Sequence, residues 1–218
     1  MVKYKIIYFS ILLSILFIGC SNSESSEIIN LGTAKRIVQN YYESSNYEKD
    51  CKAIIDRAIE HINRLELPDK PTVIFDIDET SLANYEHIKE IDFGYYYDIW
   101  LRWLKQADAV AIPQTKRFYD YLIARNIRIV FLTGRNDDSY EATLKNLAEQ
   151  GYTNFDSVIV RNMNERNLSA SEFKLDKRKE LTQRGFNIIA NIGDQASDFY
   201  GGYSGFVIKL PNFLYLID

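Results

Sequence analysis

The run Val73-Ile74-Phe75-Asp76-Ile77-Asp78-Glu79-Thr80 constrains this chain more than any other stretch. Apolar residues lead straight into two acids spaced two apart. A short, unbroken apolar run reads as a strand buried on both faces. Alternate residues of an extended backbone share a face, so Asp76 and Asp78 leave the strand end on the same side. Two like charges so placed repel each other unless a cation lies between them. The stretch therefore asks for a metal ion, or for chemistry that uses one protonated and one ionised carboxyl.

The rest of the chain can house such a site. Its 218 residues, 46% hydrophobic and 26% charged, suffice for one domain with a full core. A net charge of −4 with no Lys/Arg cluster argues against a nucleic acid polymer as partner. The N-terminus reads as a targeting segment: Lys3 and Lys5 precede an apolar run, residues 6–18, too short to span a bilayer. It ends Leu16-Phe17-Ile18-Gly19-Cys20-Ser21, which resembles a bacterial lipobox with Phe17 in place of the usual Leu. Residues 1–19 are thus expected to be a lipoprotein signal peptide, with Cys20 lipidated and residues 20–31 a Ser/Asn/Glu-rich tether. Ser21 rather than Asp after Cys20 leans towards the outer membrane of the cell envelope; a periplasmic product is the alternative. With Cys20 lipidated, Cys51 has no disulfide partner; an ordinary cleaved signal peptide or a Cys20–Cys51 bridge is the competing reading.

Two helices are predicted over residues 33–67, broken near Ser44-Ser45-Asn46 and stopped by Pro68 and Pro71. Thereafter strands at 72–75, 127–132, 157–160, 187–192 and 206–210 alternate with helices at 115–125, 139–150 and 174–184. This alternation predicts an α/β fold: a doubly wound parallel sheet with helices on both faces, and ligands at the strand C-terminal edge. Residues 82–113 interrupt the pattern just after the acidic strand end. They carry Tyr85, Phe93, Tyr95, Tyr96, Tyr97, Trp100 and Trp103, and read as a small helical cap over the pocket or as additional core.

Four stretches meet at that edge: Asp76 and Asp78; Thr133-Gly134-Arg135; Lys174, expected to open its helix; and Gly193-Asp194-Gln195-Ala196-Ser197-Asp198. Carboxylates are hard oxygen ligands suited to Mg²⁺. A threonine hydroxyl, a lysine and backbone N–H groups beside Gly134 and Gly193 suit phosphate oxygens. Together they make an inventory for phosphoryl transfer. Arg135 and Asn136 read as loop-shaping residues, and neither His61 nor His87 has a partner at metal-site spacing.

Asp-Ile-Asp-Glu-Thr, Leu-Thr-Gly-Arg, Phe-Lys-Leu-Asp-Lys-Arg and Gly-Asp-Gln-Ala-Ser-Asp resemble the four motifs of the haloacid-dehalogenase (HAD) superfamily. Asn84 and the ending Lys209-Leu210-Pro211-Asn212 bring the likeness closer to its class B-like (IIIB) acid phosphatases. That subfamily includes bacterial lipoprotein class C enzymes and plant vegetative storage proteins. The resemblance implies a Rossmann-like fold over residues 32–218 and a Mg²⁺-dependent acid phosphatase acting on small phosphate monoesters, nucleotides among them. It implies Asp76 as nucleophile, Asp78 as general acid and base, and Thr133, Gly134 and Lys174 as phosphate-binding residues. It also implies a metal held by Asp76, Asp194 and the Asp78 carbonyl, with Asp198 holding a metal-bound water. Tyr95 and Trp100 are candidates for the leaving-group wall. A phosphotransferase, or a surface binding or storage protein with residual activity, is the alternative; the oligomeric state stays open, with a dimer among the options.

Overall fold

The computed structural model describes residues 28–217. The signal peptide, Cys20 and most of the tether lie outside them. Two helices come first, α1 (Leu31–Glu43) and α2 (Ser45–Arg64). Ser44 ends the first and caps the second, its hydroxyl accepting the Asn46 N–H.

Five strands form one parallel sheet: β1 (Pro71–Phe75), β4 (Arg128–Asn136), β5 (Ser157–Arg161), β6 (Asn187–Gly193) and β7 (Phe206–Lys209), in the order β5-β4-β1-β6-β7. The remaining two strands, β2 (Leu82–Ala83) and β3 (Val110–Ala111), pair antiparallel on their own. Successive β1 side chains enter different cores. Val73 and Phe75 pack with Cys51, Ile55, Ala58 and Ile62 of α2 and with Phe118 and Leu122 of α5 (Pro113–Ala124). Leu147 of α6 (Tyr140–Glu149) joins the same cluster. Ile74 faces the other way, onto Phe173 and Leu181 of α7 (Ala170–Gln183). Burial on both faces is why the strand reads as a continuous apolar run.

β1 lies at the centre, with β4 on one side and β6 on the other. The chain winds outward in both directions from this strand, and a crevice opens where the direction reverses, beyond the C-terminal end of β1.

Two expectations change. The insertion is not purely helical: α3 (Tyr85–Glu90) and α4 (Tyr97–Gln106) are bracketed by the short β2–β3 pair, which closes its ends together. Lys174 does not open its helix. A capping box between Ser169 and Glu172 starts α7 at Ala170, so Lys174 sits in the second turn.

Candidate active site

Asp76 continues the line of β1, its N–H donating to the Ile192 carbonyl at 2.9 Å. The carboxylate is buried and its Oδ1 accepts from Lys174 Nζ at 2.6 Å. The same ammonium also donates to Asp198 Oδ1. Asp76, Asp194 and Asp198 each bring an oxygen within 4.8 Å of the others. Two of these three buried carboxylates bond the one lysine, and Asp194 lies beside them without bonding it. Burial pushes the Asp76 and Asp194 carboxyls up, and the neighbouring acids add to the effect. Burial opposes the charge of Lys174, but Asp198 and Asp76 outweigh it and hold the ammonium protonated. One cation against three acids leaves a surplus of negative charge, which fits a hard divalent metal ion. Asp194 makes no ion pair among the described residues. Its contacts are neutral donors, Thr80 Oγ1 at 2.9 Å, Gln195 Nε2 at 2.6 Å and Asn212 Nδ2 at 2.7 Å.

The local sequence explains the crowding. A Cβ on Gly193 would fall 2.2 Å from Asp198 Oδ2, so only glycine lets that carboxylate approach the strand end. Arg178, one turn beyond Lys174, is fully buried and donates to the carbonyls of Asp198 at 2.6 Å, Gly202 at 3.1 Å and Tyr200. It fixes the loop that carries Asp198. The Lys-x-x-x-Arg spacing therefore places a charge in the site and, one turn on, the clamp that holds the charge's partner.

Asp78 stands apart from the three-acid cluster. Its Oδ1 accepts from Arg135 Nη2 at 2.7 Å and Asn84 Nδ2 at 3.0 Å; its Oδ2 accepts from Arg135 Nε at 3.1 Å. Arg135 is buried and also donates to Thr143 Oγ1 at 3.0 Å. The loop-shaping role expected for Arg135 is thus too small: its guanidinium is the side-chain fork that orients Asp78. No local signal pairs two residues 57 positions apart; the missed cue was an arginine directly at a strand C-terminal end. Asn84 couples Asp78 to its surroundings, because its Oδ1 accepts from Trp103 Nε1 at 2.8 Å. Glu79 is buried beneath, accepting the Asn84 N–H at 2.6 Å and the Tyr215 hydroxyl at 2.5 Å. Burial and the nearby Asp78 push its carboxyl up to about 8.

A cavity of about 570 Å³ opens above these groups. Asp76, Asp78, Thr133, Gly134, Arg135, Lys174 and Asp194 form its floor. Thr133 is buried and accepts the Arg135 N–H at 3.2 Å, while Gly134 is exposed. Tyr95, Tyr96 and Trp100 form one wall and Leu214, Tyr215 and Leu216 another. Tyr97 is directed away, its hydroxyl bonded to Asp138 at 3.0 Å. Asp198 does not line the cavity; it stands behind Lys174. His87 packs flat on Trp103, with ring centroids 4.8 Å apart.

A family model described as HAD superfamily, subfamily IIIB (acid phosphatase) matches residues 18–218. The Stem 28 kDa glycoprotein of Glycine max is 32% identical over 184 residues, which are 82% of this chain and 72% of that protein. Acid phosphatase 1 of Solanum lycopersicum is 27% identical over 186 residues, covering 83% and 73%. The class C acid phosphatase from Bacillus anthracis superposes with a TM-score of 0.71 over 86% of this chain and 87% of that one, at 21% identity, which shows a shared fold. With the model matching from residue 18 to the last, the chain belongs to the acid phosphatases of HAD subfamily IIIB.

Proposed function

We propose that this acid phosphatase cleaves phosphate monoesters through an aspartyl-phosphate on Asp76, with Mg²⁺ as its metal. The observation that carries the reading is the pairing of Asp76 with Lys174 beside two further acids, at a strand edge that also bears Thr133. Lys174 opposes the burial that pushes the attacking carboxyl up, and offers its remaining N–H to phosphate. The Thr133 hydroxyl and the backbone beside Gly134 receive the other phosphate oxygens. Asp76, Asp194 and the Asp78 carbonyl would hold the metal, whose charge would screen the carboxylates from the phosphate dianion.

The Asp76 carboxylate attacks phosphorus and the ester P–O bond breaks. The departing alkoxide takes a proton from Asp78. Oδ2 is the oxygen suited to carry that proton: it receives one arginine N–H, whereas Oδ1 is already occupied by Arg135 and Asn84. Asp78 then takes a proton from water as that water attacks the phosphoryl group. The bond to Asp76 breaks and inorganic phosphate leaves. Arg135 fixes the distance and direction of both proton transfers.

The cavity walls take the alcohol portion of the ester. In this reading the reaction takes place in the cell envelope, with residues 1–19 as lipoprotein signal peptide, Cys20 as the lipid anchor and residues 20–31 as tether. No described helix is long and apolar enough to cross a membrane, so attachment in this reading rests on Cys20. Phosphate release from a panel of monoesters, with added Mg²⁺ and with EDTA, tests the chemistry. Metal-dependent release is the expected result, and its absence on every ester would overturn the reading. Incorporation of labelled palmitate, lost in Cys20→Ser, tests the anchor.

A further inference from the structure

The ending Lys209-Leu210-Pro211-Asn212 resembles the family pattern but has no part in the chemistry above. Its surroundings give it one. After β7 the chain turns back across the strand edge as residues 211–217. Asn212 donates its amide to Asp194 Oδ2 at 2.7 Å, and its own Oδ1 accepts the Leu214 N–H at 2.7 Å. Gln195 repeats the arrangement: Nε2 donates to Asp194 Oδ2 at 2.6 Å, and Oε1 accepts the Ile217 N–H at 3.0 Å. A backbone N–H can be satisfied only by the oxygen end of a side-chain amide. Both amides are therefore held with their N–H₂ ends towards the same carboxylate oxygen. Two neutral donors on Oδ2 leave Oδ1 with the Thr80 hydroxyl alone.

The segment is fastened at both ends. The Tyr215 hydroxyl donates to Glu79 at 2.5 Å, directly below the Asp78 loop. The Phe213 N–H donates to the Tyr42 hydroxyl at 3.2 Å, and its ring meets Tyr41 edge-on at 4.9 Å, both on α1. Leu214, Tyr215, Leu216 and Ile217 of this segment line the cavity.

We infer that residues 211–217 are a strap that completes the metal site, with Asn212 as the positioning residue that turns Asp194 towards the cation. This rests on the metal-dependent phosphatase reading. Groups that orient a metal ligand by hydrogen bonds commonly change metal affinity by about 10–100-fold when removed. Fixing the carboxylate in one rotamer before the metal arrives spares the entropy of ordering it on binding.

The test is Mg²⁺ titration by calorimetry on the full chain, read beside turnover and melting temperature. Asn212→Ala and the similarly sized Asn212→Leu are expected to weaken Mg²⁺ binding by about 10–100-fold. The Mg²⁺ concentration for half-maximal turnover should shift by the same factor, with kcat recovered at saturating Mg²⁺. Tyr215→Phe, which removes one of the strap's fastenings without touching Asp194, is expected to shift Mg²⁺ affinity in the same direction by a smaller factor. Wild-type Mg²⁺ affinity in both Asn212 variants overturns the inference, even if their melting temperature drops, because that pattern is support of the fold alone. A wild-type protein that binds Mg²⁺ but releases no phosphate would sink the phosphatase mechanism and leave the strap testable. One that binds no Mg²⁺ overturns both.

Discussion

The floor and the roof of the cavity are built on different terms. The floor groups are side chains at the ends of β1, β4 and β6 and on α7, and Asp76, Thr133, Arg135, Lys174 and Asp194 are all buried. Asp76, Arg135, Lys174 and Asp194 are each held by a hydrogen bond from or to a distant part of the chain, and Thr133 by the Arg135 N–H within its own turn. The roof is made of loop and cap surface: Tyr95 is 69% exposed, Tyr96 63% and Leu216 79%. A site that does one kind of chemistry on many alcohols gains from this division. Rigid strands hold the reacting groups to fractions of an ångström, and a looser apolar wall takes the variable half of the ester. If the division holds, floor variants lower kcat and roof variants raise KM.

The strongest blow to the floor is Asp76→Asn. It keeps the shape but removes the proposed nucleophile and half of the Lys174 pair, and kcat should fall on the order of 10³-fold or more. Lys174 retains Asp198, so the fold should persist, with circular dichroism as the check. Surviving turnover would mean another nucleophile.

Arg135→Lys comes next. The charge stays while the two-pronged grip on Asp78 is lost. We expect kcat lower by about 10–100-fold with KM little altered, since misplacing a proton donor by about 1 Å can cost that much. Equal losses in kcat and 1/KM would show that Arg135 binds substrate directly, and the floor's separation of phosphate contacts from positioning contacts would fail. Trp100→Ala probes the roof. Losing an aromatic face costs about 1 kcal/mol beyond its share of buried area, so KM should rise about tenfold for esters of bulky alcohols and hardly at all for small ones. A drop in kcat as large as that of Arg135→Lys would erase the distinction between the two regions.

The same division governs what could be read in the chain. Val73–Phe75 announces a doubly buried strand because each residue must be apolar, and the acids that follow are adjacent in sequence. The role proposed for them rests on local order and the resemblance of four short motifs. The Ser169-x-x-Glu172 capping box is a local signal that went unread: it starts α7 at Ala170, ahead of the boundary expected at Lys174. Arg135 with Asp78, Asn212 with Asp194 and Tyr215 with Glu79 were not legible. The partners are 57, 18 and 136 residues apart, and a polar side chain carries no periodic trace of what it will meet. The β2–β3 pair escaped for another reason: two residues per strand are too few to show alternation.

The smallest expected effect separates the roof's stability from the floor's. His87 lies on α3 and stacks on Trp103 of α4, with Trp100 at 6.2 Å and its Nε2 buried without a partner. Burial holds its pKa below the ordinary 6.5, outweighing the opposing charge of Glu90. The unfolded or opened state therefore binds a proton more readily than the packed one. Its contribution to stability is complete above pH 6.5 and is lost as pH falls through the lowered value, with a slope of at most about 1.4 kcal/mol per pH unit for one proton. Trp100 and Trp103 are the chain's two tryptophans, so emission excited selectively from tryptophan rather than from the 16 tyrosines reports this corner of the roof. The emission should titrate below pH 6.5 in the wild type and not in His87→Phe, which keeps the stack without the charge. A titration that persists in His87→Phe would assign the acid-sensitive step to another group. If far-ultraviolet circular dichroism moved together with the emission, roof and floor would be one cooperative unit; emission moving first would mean that the cap loosens over an intact catalytic edge.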